Sequence, residues 1–281
     1  MQEGKFSRTA HRVATRRAAH QLLDEPRVLD DPLALRIIGS EAAAELRSNP
    51  KEHHAFSRAF RAFMAARSRY AEDELAFAVG EGVTQYVILG AGLDTFAYRN
   101  PHRGLRVFEI DHPATQAWKR EQLQAAGIPI PPSLTFVPVD FEQQSLAAGL
   151  QHCGFNTTAA AFFSWLGVTP YLTHAACRAT LSLIARLPAG TGVVFDFAVD
   201  PALLNPGQRQ ALDALAKRVA AAGEPFQLFF DPGKLQDELK RLGFRRTEFL
   251  QGKEINARYF KDRTDGLLVR GGLGHLMAAW V

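Results

Sequence analysis

Cysteine is scarce in this chain: two residues in 281, Cys153 and Cys177, in apolar or helical surroundings and without CxxC spacing or a neighbouring run of metal ligands. That excludes a disulfide scaffold and a cysteine-based metal centre. Two free thiols fit a reducing compartment, so a cytoplasmic location is expected and no metal site is assigned. Long apolar runs are missing as well. The nearest, 159–172, is interrupted by Ser164, Gly167, Thr169 and Pro170, whereas a bilayer span needs ~18 uninterrupted residues; no membrane association is expected. Charge of one sign is also lacking, because 33 basic and 29 acidic residues are interspersed, which leaves too weak an electrostatic footprint to expect nucleic-acid binding. The chain has no internal repeat and no low-complexity tract. Its arginine-rich start resembles a transit peptide in composition but lacks the apolar core of a secretory signal.

What the chain does contain is 47% hydrophobic residues, enough to build a substantial core unaided. Residues 8–79 read as helices, with Phe56, Phe60, Phe63 and Met64 at helical spacing as a core-facing stripe. From Gln85 onward, short apolar runs alternate with helical stretches. Strands are predicted at 86–89, 105–110, 134–139, 159–164, 192–197, 244–250 and 275–281. Such alternation implies βαβ crossovers, hence a Rossmann-like, doubly wound, mostly parallel seven-stranded sheet. The last two strands show no helix between them, so a terminal antiparallel hairpin through the loop around "GKEINARYFKDRTDG" is expected. The chain divides into a helical region, 1–79, and an α/β core, 80–281, joined by "GEGVT".

The first strand runs into "YVILGAGLDTFAYRN", which sets Gly90, Ala91 and Gly92 at the carboxyl edge of the sheet, where open α/β folds bind nucleotides. A dinucleotide fingerprint would continue to a third glycine, where this chain has Thr95, and Asp94 would repel a pyrophosphate. A ligand with adenosine and a cationic tail removes that conflict, and S-adenosylmethionine is such a ligand; Asp94 serves equally as a helix cap. The second strand ends in "VFEIDHP", with Glu109 and Asp111 both candidates to accept ribose hydroxyls, Asp111 lying 19 residues after Gly92. The third ends in "VPVDF", offering Asp140 to the adenine amino group and the Phe141 ring to the base.

Together, "SRTAHRVATRRAAHQLLDEPRVLDDPLA", "AARSRYAEDEL", "LGAGLDTFAYR", "VFEIDHPATQAWKREQL", "VPVDF" and "WLGVTPYLT" resemble the leucine carboxyl methyltransferase family of S-adenosylmethionine-dependent enzymes, in its bacterial branch. The resemblance implies that Gly90 and Gly92 approach the cofactor, Asp111 holds its ribose, Asp140 and Phe141 frame its adenine, and Arg67 pairs with its methionine carboxylate. It further implies that the N-terminal arm is a lid, so that Arg12, Arg16 and Arg17 draw in an acidic acceptor, and that Tyr171 faces that acceptor. One departure is visible: Leu166 precedes Gly167 where relatives often carry a glutamate facing the cofactor's amino group.

Methyl transfer from a sulfonium is an in-line displacement that requires alignment and exclusion of water. A carboxylate acceptor, with a pKa near 4, is already ionised at neutral pH, whereas a phenol near 10 benefits from a base. The histidines form no HExxH or Ser/His/Asp arrangement. The expected activity is therefore O-methylation of a small acidic metabolite to a methyl ester, with phenol or enol O-methylation as the alternative. From other classes stand an NAD-binding oxidoreductase and a non-catalytic cofactor-binding protein.

Overall fold

A computed structural model describes residues 7–140, 144–221, 223–272 and 274–281. Its N-terminal helices are α1 (Arg8–Leu23), α2 (Ala34–Ile37), α3 (Ser40–Ser48) and α4 (Ala55–Gly80). Next come β1 (Gln85–Leu89), α5 (Phe96–Arg99), β2 (Arg106–Asp111), α6 (Pro113–Ala125), β3 (Leu134–Pro138), α7 (Leu146–Gln151) and β4 (Phe162–Trp165). The remainder is α8 (His174–Ile184), β5 (Gly192–Ala198), α9 (Pro206–Ala220), α10 (Pro232–Leu242), β6 (Arg246–Leu250), α11 (Gly252–Tyr259) and β7 (Gly274–Trp280).

The strands form one sheet in the order β3-β2-β1-β4-β5-β7-β6. The first five are parallel, and β7 runs antiparallel between β5 and β6. Both faces of β1 are covered: Tyr86 and Ile88 join a cluster with α4, while Val87 and Leu89 pack into a cluster with α8 and α10. This explains why these strands read as continuous apolar runs. Helix starts follow local chemistry. Ser7, Ser145, Thr173, Asn205 and Asp231 each accept a hydrogen bond from the first turn that follows, and Pro113, Pro206 and Pro232 occupy first helical positions.

Two expectations need correction. The connection between the last two strands contains α11, capped by Gln251 and Glu254; its buried residue is Ile255, so it carries no apolar period to read. The antiparallel pairing itself is present. The phenylalanine stripe is only partly core: Phe63 and Met64 are buried, but Phe56 is 45% exposed, stacked on Phe60 and covered by the Arg218 guanidinium. No helix among the described residues is long and apolar enough to cross a membrane. Cys153 and Cys177 are free thiols, and no group of metal-ligating side chains is found among the described residues.

Candidate active site

At the carboxyl ends of β1, β2, β3 and β4 lies a cleft of about 290 Å³, roofed by α1 and closed at one end by residues 223–227. The chain changes direction along the sheet here: β2 and β3 lie on one side of β1, β4 and β5 on the other. Such a switch point is where open α/β sheets leave room for a ligand.

The glycine loop forms the floor. Gly90 and Gly92 have φ of +68° and +47°, a region that L side chains seldom occupy. The loop is also crowded: a Cβ on Gly90 would lie 2.3 Å from Val168 Cγ2, and one on Gly92 would lie 3.0 Å from Ala10 Cβ. Asp111, at the end of β2, accepts the Gly92 N–H at 2.5 Å and the His112 N–H at 2.7 Å. Burial raises its pKa against those two bonds. His112 caps α6 through Nδ1, which accepts the Ala114 N–H at 3.2 Å, and its Nε2 lies 3.8 Å from Asp140 at the end of β3.

Asp94 lies one residue before the N-cap Thr95 of α5 and accepts the Phe96 N–H at 2.8 Å, and its other oxygen meets Arg17 at 3.3 Å. Burial would raise its pKa, but Arg17, Lys119, Arg99 and the Phe96 N–H outweigh it and hold the carboxyl below the ordinary value. Arg17 donates to the Leu93 carbonyl at 2.6 Å as well, so its guanidinium fastens α1 onto the glycine loop. Of the other arginines on this helix, Arg16 pairs with Glu52 and Arg12 is exposed.

Across the switch point, Arg67 reaches from α4 to donate to Asp196 of β5 at 2.6 Å, and the other Asp196 oxygen accepts the Gly167 N–H at 2.5 Å. Leu166, Val168, Tyr171 and Leu172 continue this wall. The Tyr171 hydroxyl is pushed up to about 12, by burial first and by the negative charge of Glu224 second.

Gly90, Ala91, Gly92, Asp94, Asp111, Asp140, Arg17, Arg67 and Tyr171 thus line one cleft. Thr95 and Glu109 are not among the residues lining it. The Thr95 hydroxyl donates to Asp31 at 2.6 Å, and Glu109 is sealed in the core against Lys119 Nζ at 2.7 Å and the Tyr98 hydroxyl at 3.3 Å. Phe141 lies outside the described residues. Three residues of this site are not singled out by the sequence: Glu224 and Val168, which line the cleft, and Asp196, which stands behind its wall and holds Arg67 and the Gly167 N–H. The only sequence signal for Asp196 is an acid inside the apolar run "GVVFDF".

The donor set suits an adenosine ligand without phosphates. The glycine floor brings backbone rather than bulky side chains to the cleft, and the acids at the ends of β2 and β3 are acceptors for hydroxyl and amino groups. The family described as leucine carboxyl methyltransferase matches residues 10–185. A Bacillus subtilis (strain 168) protein, provisionally named S-adenosyl-L-methionine-dependent methyltransferase YktD, is 33% identical over 294 residues, covering 95% of each chain. A Mycobacteroides abscessus protein with the same kind of provisional name is 32% identical, covering 84% of this chain and 75% of the relative. Among solved structures, a provisionally assigned methyltransferase from Thermobifida fusca YX has the same fold, with a TM-score of 0.61 at 16% identity, covering 99% of this chain and 96% of that one. The chain belongs to the leucine carboxyl methyltransferase family.

Proposed function

We propose that the protein is an S-adenosylmethionine-dependent O-methyltransferase that esterifies a carboxylate of a small acidic metabolite. The observation that carries this reading is the tie between Asp111 and the Gly92 N–H, which sets an acid and the glycine floor side by side in a cleft at the switch point. When bound, the cofactor supplies an electrophilic methyl group. Asp111 is positioned for the ribose hydroxyls, Asp140 for the adenine amino group and Arg67 for the methionine carboxylate. Arg17 acts on the ligand indirectly, by holding α1 over the loop.

The groups around the cleft favour an acceptor oxygen that arrives already ionised. Tyr171 retains its proton at neutral pH and serves as a hydrogen-bond donor to that oxygen rather than as a base. His112 spends Nδ1 on its own helix, which argues against a base on the nucleoside side. Val168, Tyr171 and Leu172 keep water from the line of attack, and alignment supplies the rest of the acceleration.

The test is calorimetric titration with S-adenosylhomocysteine, with NADH as the control. Binding of S-adenosylhomocysteine alone is expected, followed by ester formation in a screen of carboxylic acids. Binding of NADH alone would return the protein to the oxidoreductases.

A further inference from the structure

Among the described residues, Glu224 is the one acid that lines the cavity on the β4–β5 side of the switch point. Its segment is zipped onto the turn after β4: the Gln227 and Leu228 N–H groups donate to the Pro170 carbonyl at 2.7 and 3.2 Å, and Gln227 Nε2 donates to the Tyr171 carbonyl at 2.8 Å. The Phe226 ring packs on the Tyr171 ring with centroids 5.4 Å apart. The segment that carries Glu224 is therefore held against Tyr171, close enough for the carboxylate's charge to act on the Tyr171 hydroxyl. The Glu224 Oε2 atom is closed off from solvent and meets no hydrogen-bond donor among the described residues.

A carboxylate oxygen stripped of water without a donor is costly, and such groups are satisfied by a cation or a charge-assisted hydrogen bond. The cleft's own cations are otherwise engaged: Arg67 with Asp196, Arg17 with Leu93 and Asp94. A ligand cation that meets the carboxylate through its other, open oxygen would offset that cost. Strand order separates Glu224 from the end where Asp111 and Asp140 stand, which sets it away from the nucleoside and on the side where the methyl group is transferred.

Resting on the methyltransferase reading above, we propose that Glu224 recognises a protonated amine of the methyl acceptor. The acceptor class is then an amine-bearing carboxylic acid, a zwitterion whose carboxylate takes the methyl group while its ammonium sits on Glu224. In the transfer, the sulfur–methyl bond breaks as the carboxylate oxygen–methyl bond forms. The sulfonium becomes a neutral thioether, the carboxylate becomes a neutral ester, and no proton moves. An acid without the amine would meet like charge at Glu224.

The experiment supplies methyl-tritiated S-adenosylmethionine and a panel of amino acids and dipeptides, each matched with its N-acetylated and 2-hydroxy counterpart, and measures alkali-labile methyl esters. Turnover is expected for amine-bearing acids over their counterparts. Glu224→Gln should raise the acceptor KM about ten- to hundredfold, the range of a charge-assisted contact, with S-adenosylhomocysteine affinity unchanged and partial recovery in Glu224→Asp. Equal or greater turnover of the amine-free acids, or no ester on any amine-bearing acid, overturns the inference while leaving the methyltransferase reading standing wherever S-adenosylhomocysteine binds. Methylation confined to hydroxyl acceptors, seen as alkali-stable label, overturns both the inference and the ester reading and would make Glu224 a base. A fall in S-adenosylhomocysteine affinity in Glu224→Gln overturns it too, by assigning the carboxylate to the cofactor's own ammonium. Failure of the unmodified protein to bind S-adenosylhomocysteine overturns both readings.

Discussion

Gly90→Ala tests the architecture of the glycine floor, because two costs combine at that residue and can be separated. The first is conformational: at φ +68° an L side chain costs roughly 1–2 kcal/mol. The second is steric. The new Cβ would stand 2.3 Å from Val168 Cγ2, where carbon atoms rest at about 3.5–4.0 Å, so more than an ångström of movement is demanded. Overpacking of this kind costs about 1–3 kcal/mol, giving about 2–5 kcal/mol in all. Val168→Ala alone should cost about 1 kcal/mol, as the loss of a half-buried pair of methyl groups. In the double variant the steric part vanishes and the conformational part remains, so the two substitutions should couple favourably by at least about 1 kcal/mol. Denaturant unfolding of the four proteins measures this, with S-adenosylhomocysteine titration reporting the floor directly. Additive free energies, within about 0.5 kcal/mol, would refute the contact between Gly90 and Val168.

Asp111→Ala should weaken S-adenosylhomocysteine binding by about 1.5–3 kcal/mol, since a charge-assisted acceptor is lost; unchanged affinity by calorimetry would remove Asp111 from the site. Lys119→Met leaves Glu109 buried without its cation and should destabilise the fold by about 3–5 kcal/mol, with Glu109→Gln in the same chain restoring much of it in urea unfolding. His275 packs against the rings of both Phe197 and Phe249, and burial lowers its pKa to about 4. The unfolded chain therefore binds the extra proton first, and stability falls as pH drops from about 6.5 towards 4, by up to about 3 kcal/mol. Melting temperatures across that range should show the slope, and His275→Phe should flatten it.

The central strands β1, β4 and β5 were legible because each is a short apolar run buried on both faces, a pattern that needs no knowledge of its neighbours, while the partly exposed edge strands β3 and β6 were legible by their place in the alternation with helices. The nucleoside side of the cleft was legible for a related reason: Gly90, Gly92, Asp111 and Asp140 all sit at strand ends, where chain position alone fixes location. Glu109 and Asp111 were not separable by spacing, and burial under Tyr98 and Lys119 separates them. The other wall depends on partners remote in sequence. Arg67 finds Asp196 across 129 residues, and Glu224 enters the cleft only because its segment bonds to the turn after β4. Thr95 illustrates the converse, a residue inside the motif whose side chain turns to Asp31 in the connection between α1 and α2.

The reversal of strand order at β1 has a consequence for how such a protein diversifies. The residues proposed for the cofactor all precede residue 185, where the family match ends, while Glu224 and its neighbours come later, after β5. Mutations in 199–230 can therefore reshape one wall without touching Gly90, Asp111 or Asp140. Duplicated copies of this chain are free to drift in what they methylate while inheriting the same methyl donor, and exchanging that segment between relatives should carry acceptor preference with it.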